Sequence, residues 1–354
     1  MLPYRPRHIY TERTARDAPL TRRILGSLAG CPVHEIQDHR RIEAEPLPFQ
    51  GYDGRIKSSV LVLAHHPGPC IRPFPGSRQN EGQGPAEFFI AHANGCPFDC
   101  QYCFLQGYFD HGAPVLFVNQ QDMLSELIDH LERNARNRPT LYHMGEFSDA
   151  LALEHWSGFA AAAIAVFVDY PLARLELRTK CDRVETVLPE GPPPNVTISW
   201  TLTPRRAWKL YEHRTPNPLE RLRSARACHE KGYRVGIRLD PALVYLGWEE
   251  GYEGLIAQIY QQLRPEGIES VWIGGFRYSR DLGNRIRERF PSSSLLLPEF
   301  VLCNDAKYRY FRPLRVSLYR ELLKQIQRHD PEVLIRLCME TEQVYTDVLR
   351  VVRK

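Results

Sequence analysis

Apolar and polar positions along this chain fall into two textures that alternate from about residue 86 onward. Short β-rich runs occupy 87–93, 140–145, 174–179, 196–202, 233–239 and 270–276, and helical patterns lie between them. The clearest helix spans 121–136, where Leu124, Leu127, Ile128 and Leu131 recur at i, i+3, i+4 and i+7. A second spans 217–231 and ends at Gly232, in the position of a C-terminal cap. Strands separated by helices in this way predict βα units and a parallel sheet. In βα barrels the reactive groups gather at the C-terminal ends of the strands.

Residues 1–85 read as a separate mixed α/β extension, with a basic start (Arg5, Arg7, His8), a helix at 20–29 and a strand at 58–64. The loop at 76–84, rich in Gly, Gln and Asn, sets it apart from a core at 86–291. The remainder, 292–354, carries an apolar strand at 295–297, the basic-aromatic run Lys307-Tyr308-Arg309-Tyr310-Phe311-Arg312, and a helix at 314–328. Such a run can stack bases and pair with phosphates. A solvated hairpin edge has the same composition. The net charge of +4 permits an anionic partner but is weaker than the footprint of a dedicated nucleic-acid binder. With 43% apolar and 25% charged residues and no apolar run of spanning length, the chain is expected to be a soluble cytoplasmic protein with no membrane contact.

Cys96, Cys100 and Cys103 bring soft chemistry into this frame. Three thiols within eight residues, spaced C-x3-C-x2-C, supply three corners of a cubane iron-sulfur cluster and leave one iron open. A structural zinc site takes four ligands, usually in two separated pairs, and no second pair is present. Nine cysteines, an odd number without a regular framework, argue against a disulfide scaffold. Asn94-Gly95 ahead of the thiols and Phe104-Leu105-Gln106-Gly107-Tyr108 behind them resemble the cluster loop of radical S-adenosylmethionine enzymes. That resemblance implies a 4Fe-4S cluster and S-adenosylmethionine as cofactors, and reductive release of a 5'-deoxyadenosyl radical. The cofactors do the bond-breaking and the protein orients and shields. It also implies a partial (β/α)6 TIM-type barrel with N-terminal and C-terminal extensions.

The strand ends supply further candidates. Glu146, after Met144-Gly145, suits the ammonium of S-adenosylmethionine, since a Gly-Gly-Glu segment occupies this place in the superfamily. Its other reading is a carboxylate at a helix start. Ser148 and Asp149 follow, as ligands or as a helix cap. Lys180, in Arg178-Thr179-Lys180, suits the cofactor's carboxylate or is a plain strand-end cation. Ser199, Thr201 and Thr203 put hydroxyls on one strand face, where Thr201 suits a ribose or carboxylate. Gly274-Gly275, inside a strand pattern, marks a close approach of ligand or backbone.

Most of the chain resembles the spore photoproduct lyase family of radical S-adenosylmethionine proteins. The resemblance rests on 95–106, Ser148-Asp149, Arg178-Thr179-Lys180, 215–236, 247–258 and Lys307-Tyr308. It implies a radical lyase acting on a nucleic-acid lesion or nucleotide, with an electron donor such as flavodoxin or ferredoxin. The family's best-known member returns a hydrogen atom from a cysteine whose place is held here by Glu146. The tyrosine after its last cluster cysteine is Phe104 here, while Tyr102 matches that tyrosine's neighbour. Tyr102 and Cys181 are therefore the groups expected to handle hydrogen. The competing functional classes are a radical enzyme for a small metabolite, nucleoside or peptide, and a non-catalytic metalloprotein.

Overall fold

The computed structural model describes residues 4–42, 59–74, 85–108 and 111–349. Ser58 and the 76–84 loop lie outside these described residues. The N-terminal part forms β1 (His8–Glu12), β2 (Val33–Ile36) and β3 (Val60–Ala64), with a helix at Pro19–Ser27 close to the expected 20–29. All five residues of β3 are buried, which fits its central place between parallel neighbours.

The chain continues through β4 (Ile71–Pro73), β5 (Ala86–Ile90), β6 (Ala93–Asn94), β7 (Val115–Phe117), β8 (Thr140–Met144), β9 (Ala173–Thr179) and β10 (Val196–Thr201). It then forms β11 (Arg234–Ala242), β12 (Ile268–Gly275), β13 (Arg277–Ser279), β14 (Phe300–Leu302), β15 (Lys307–Tyr310) and β16 (Ile335–Leu337). Among the described residues these strands make three sheets, and β6 and β7 join the N-terminal one in the order β2-β1-β3-β7-β6. The main sheet runs β16-β12-β11-β10-β9-β8-β5-β4, parallel throughout except for β4 at its edge.

All six core runs expected from the sequence are strands of this sheet, with ends shifted by up to three residues. The helices at Gln120–Asn134 and Pro218–Glu230 match the periodic segments. Asn217 accepts from the Glu220 amide at 3.0 Å while the Glu220 carboxylate accepts from the Asn217 amide at 3.0 Å, a reciprocal cap with Pro218 in the first turn. Gly232 follows with φ +93, the left-handed turn expected there. The link from β9 to β10 differs, carrying only a 3-10 turn at Val184–Thr186.

Residues 295–297 form turns instead of the expected strand, and Leu297 is exposed. Pro298 ends that run with no amide to donate, and the strand forms beyond it as β14. There β15 pairs with β13 and β14 in an antiparallel three-stranded sheet, and the late helix runs Arg312–His329. No helix among the described residues is long and apolar enough to cross a membrane.

The main sheet is curled, and its concave face is polar. Arg174, Glu176 and Arg178 alternate along β9 and so share one face. Arg238 of β11 reaches past β10 to Glu176 at 2.6 Å, and Arg174 reaches Glu269 of β12 at 3.1 Å. Apolar residues back the other face of the strands, among them Tyr142, Leu175, Leu177, Ile198 and Ile237, all fully buried.

Candidate active site

The cysteine loop leaves the barrel after β5 and is pinned from three sides. Gly95 adopts φ +69, and a side chain there would meet the Ala113 carbonyl at 2.9 Å, so only glycine lets the loop turn against that backbone. Cys100 forms an isolated antiparallel bridge with Glu212. On either side of it the Gln101 amide donates to the Tyr211 carbonyl at 2.8 Å, and the His213 amide to the Asp99 carbonyl at 3.2 Å. Arg289 clamps the far side, donating to Asp99 Oδ1 at 2.9 Å and to Gln106 Oε1 at 2.6 Å. Cys96 and Cys100 are buried and Cys103 is half-buried. Burial pushes the Cys100 thiol well up, with Glu212 adding to the effect and Lys180 opposing it.

Glu212 gathers a fully buried knot behind the loop. Its Oε1 accepts from the Tyr102 hydroxyl at 2.5 Å and from Thr203 at 2.8 Å, and its Oε2 accepts from Thr215 at 2.9 Å and from Arg221. Arg221, also fully buried, spends its other donors on the carbonyls of Thr201 and Pro216, both at 2.9 Å. The Lys180 ammonium stands 5.6 Å above the Tyr102 ring. Burial alone would raise the Glu212 carboxyl, but Arg221 and Lys180 hold it at about 2. Burial pulls Lys180 down, and Cys100 and Glu212 reverse that to a net rise.

The strand-end residues divide into two groups. Glu146 accepts from Arg178 at 3.1 Å, and Arg178 also donates to Glu176 at 2.9 Å. Glu176 is the buried centre of this group, since His143 lies 2.7 Å away and Arg238 2.6 Å. Burial would raise Glu176, but Arg238 and Arg178 force it well below the usual carboxylate range. Asp149 organises the second group, accepting from the Thr179 hydroxyl at 2.8 Å and from the amides of Leu151 and Lys180 at 2.9 and 2.7 Å. It closes the turn after β8 without capping a helix, since the next helix, Glu154–Ser157, starts from Leu153 with no side-chain cap, and it fixes the backbone from which Lys180 projects. Cys181 turns its thiol on Asp149 Oδ1 at 3.4 Å, and burial pushes that thiol well up. Thr201 is buried beside the Arg221 guanidinium that holds its carbonyl. Gly274 makes room for protein: a side chain there would meet the Asp240 carboxylate at 2.6 Å and Cys338 at 3.0 Å.

The residues present fit an iron-sulfur cluster and an amino-acid ligand. One pinned loop carries all three thiols, and the buried Ser148 hydroxyl and Asn94 side-chain oxygen have no hydrogen-bond partner among the described residues. Buried polar atoms are rarely left so unless a ligand or water completes them. Among the described residues, one set of three metal-binding side chains falls within 4.8 Å, Glu12, Asp38 and His39. Those side chains are already engaged, with Glu12 accepting from the His39 and His65 amides and Asp38 from Arg40.

A family model described as spore photoproduct lyase matches residues 4–329, nearly the whole chain. The chain belongs to the spore photoproduct lyase family. Members are radical S-adenosylmethionine enzymes with a 4Fe-4S cluster and S-adenosylmethionine as cofactors. The spore photoproduct lyase of Geobacillus sp. is 24% identical over 319 residues, covering 88% of this chain and 89% of that protein. That of Clostridium acetobutylicum is 27% identical over 214 residues, 59% of this chain and 62% of its own length. Among solved structures, a spore photoproduct lyase complexed with dinucleoside spore photoproduct superposes with a TM-score of 0.81 at 21% identity, covering 95% of this chain and 99% of the other. A mutant enzyme with bound AdoMet and the same dinucleoside gives 0.81 at 21%, covering 94% and 98%. These likenesses establish the fold, a partial TIM-type barrel of the radical S-adenosylmethionine type.

Glu212, Arg221 and Arg289 were not legible as site residues, because each reads as an ordinary charge on a helix or loop. The Glu176 group left a trace: three charges at alternate positions of β9 put charge on one strand face, which is costly unless that face is lined with partners.

Proposed function

We propose that this chain is a radical S-adenosylmethionine lyase whose substrate is a lesion or nucleotide of nucleic acid. The supporting observation is the pinned loop of Cys96, Cys100 and Cys103, together with the unpartnered buried hydroxyl of Ser148, in a chain matched by the family model over 4–329. Cys96, Cys100 and Cys103 would hold the cluster, and Glu146, Ser148, Lys180 and Thr201 would contact S-adenosylmethionine. When bound, the two cofactors supply one-electron cleavage of a carbon–sulfur bond, with the electron from a small carrier such as flavodoxin or ferredoxin.

The protein's part is positional. The Glu212 knot fixes the loop from behind, Asp149 fixes the Lys180 backbone, and the buried surround keeps water from the reacting carbon. Tyr102 and Cys181 are the groups that would handle hydrogen. Each already donates to a carboxylate, so either must leave Glu212 or Asp149 to give its hydrogen up. A dinucleoside spore photoproduct, held by a similar lyase, supports this substrate class.

Anaerobically reconstituted protein should carry iron and acid-labile sulfide, cleave S-adenosylmethionine to 5'-deoxyadenosine once reduced, and turn over a dinucleoside lesion. Cys100→Ala should lose all three. Cluster-free wild type ends the cofactor assignment, and cleavage without turnover of the lesion ends the substrate assignment.

A further inference from the structure

Tyr102 lies between two of the three loop cysteines, and its environment is charged on both sides. Its hydroxyl is held by Glu212, while its ring carries the Lys180 ammonium at 5.6 Å. Glu212 is also joined to the loop through its backbone bridge to Cys100. Glu212 therefore touches the loop twice, by its main chain at Cys100 and by its carboxylate at Tyr102. Arg221, Thr203 and Thr215 leave it no freedom to turn away.

We infer that Glu212 and Lys180 are an opposed pair of positioning charges that fix Tyr102 and set the reduction potential of a cluster held by Cys96, Cys100 and Cys103. The inference rests on the cluster assignment proposed above. Charges count heavily here because the Glu212 side chain is fully buried and Lys180 is half-buried, so both act on the loop through a medium that screens less than bulk water. Cluster potentials follow local net charge and hydrogen bonding. A negative charge disfavours the added electron and a positive one favours it, so removing the two partners has opposite effects. The pair also differs from generic packing: losing a packing contact has no preferred sign, whereas losing a charge does. Arg221 works in the same direction, because its charge is uncovered when Glu212 is neutralised.

The test compares wild type, Glu212→Gln and Lys180→Met, all reconstituted anaerobically and assayed first for iron and sulfide. Midpoint potentials are then read by electron paramagnetic resonance in redox titrations without S-adenosylmethionine. Glu212→Gln should raise the potential and Lys180→Met should lower it. Should Glu212→Gln fail to fold, Lys180→Met set against Lys180→Arg decides, since arginine keeps the charge and should restore the wild-type value. Shifts in one common direction, or none, overturn the inference while leaving the cluster assignment standing. Wild type that takes up no iron and sulfide overturns the assignment itself.

Discussion

Arg178 donates from Nη1 to Oε2 of Glu146 at 3.1 Å, so the carboxylate that stands where the best-known family member has a cysteine is tied to a guanidinium fixed in turn on Glu176 at 2.9 Å. An ammonium approaching Glu146 would find one oxygen already engaged and the other available. Glu146→Gln keeps the shape and removes the charge. A charge-assisted hydrogen bond contributes about 1.5–3 kcal/mol, so the affinity of the reconstituted protein for S-adenosylmethionine should fall by roughly 10- to 150-fold in a calorimetric titration. Unchanged affinity removes Glu146 from the cofactor site.

Glu176 is the carboxylate on which the barrel's interior charges converge. Replacing it by Gln leaves Arg238 buried without its counter-ion and Arg178 with Glu146 alone, which should cost about 3–5 kcal/mol in urea unfolding at pH 7. The pH dependence has a definite sign. In the folded chain Glu176 titrates well below the ordinary glutamate value of 4.5, so its contribution is full above that value and is lost as pH falls toward the folded pKa. The stability gap between wild type and Glu176→Gln should therefore narrow progressively below about pH 4.5. A gap that stays constant down to pH 3 contradicts this account.

Local pattern carried much of this architecture. Five of the six core runs are strands rich in β-branched or aromatic side chains, and the sixth, 174–179, alternates leucine with charged residues, signals that need no partner to be read. The pairing of β16 with β12 was not legible, because β16 is three residues long and comes from some sixty residues later in the chain. The same holds for β7, which joins the N-terminal sheet across the cysteine loop. At the site, the cysteine spacing spoke for itself, while Glu212 did not. Its importance comes from Tyr102, Thr203, Thr215 and Arg221 meeting on it, which only the folded chain brings about.

The backbone under Glu146 is as constrained as its side chain. Gly145 adopts φ +104, and a Cβ there would fall 2.6 Å from the Arg178 carbonyl and 3.0 Å from the Arg178 Cβ. That carbonyl accepts from the Ala150 amide at 3.0 Å, the link that ties the loop after β8 to the end of β9. Gly145→Ala adds a left-handed penalty of about 1–2 kcal/mol and an overpacking cost of about 1–3 kcal/mol. Neither obstacle yields easily, because the atoms met belong to a buried strand. Unfolding should therefore show a loss of about 2–5 kcal/mol. The weaker binding of S-adenosylmethionine expected for Glu146→Gln should accompany it, since the strain falls between Glu146 and Arg178. Full stability in Gly145→Ala would mean that this turn relaxes freely and that the glycine is not what sets Glu146 against Arg178.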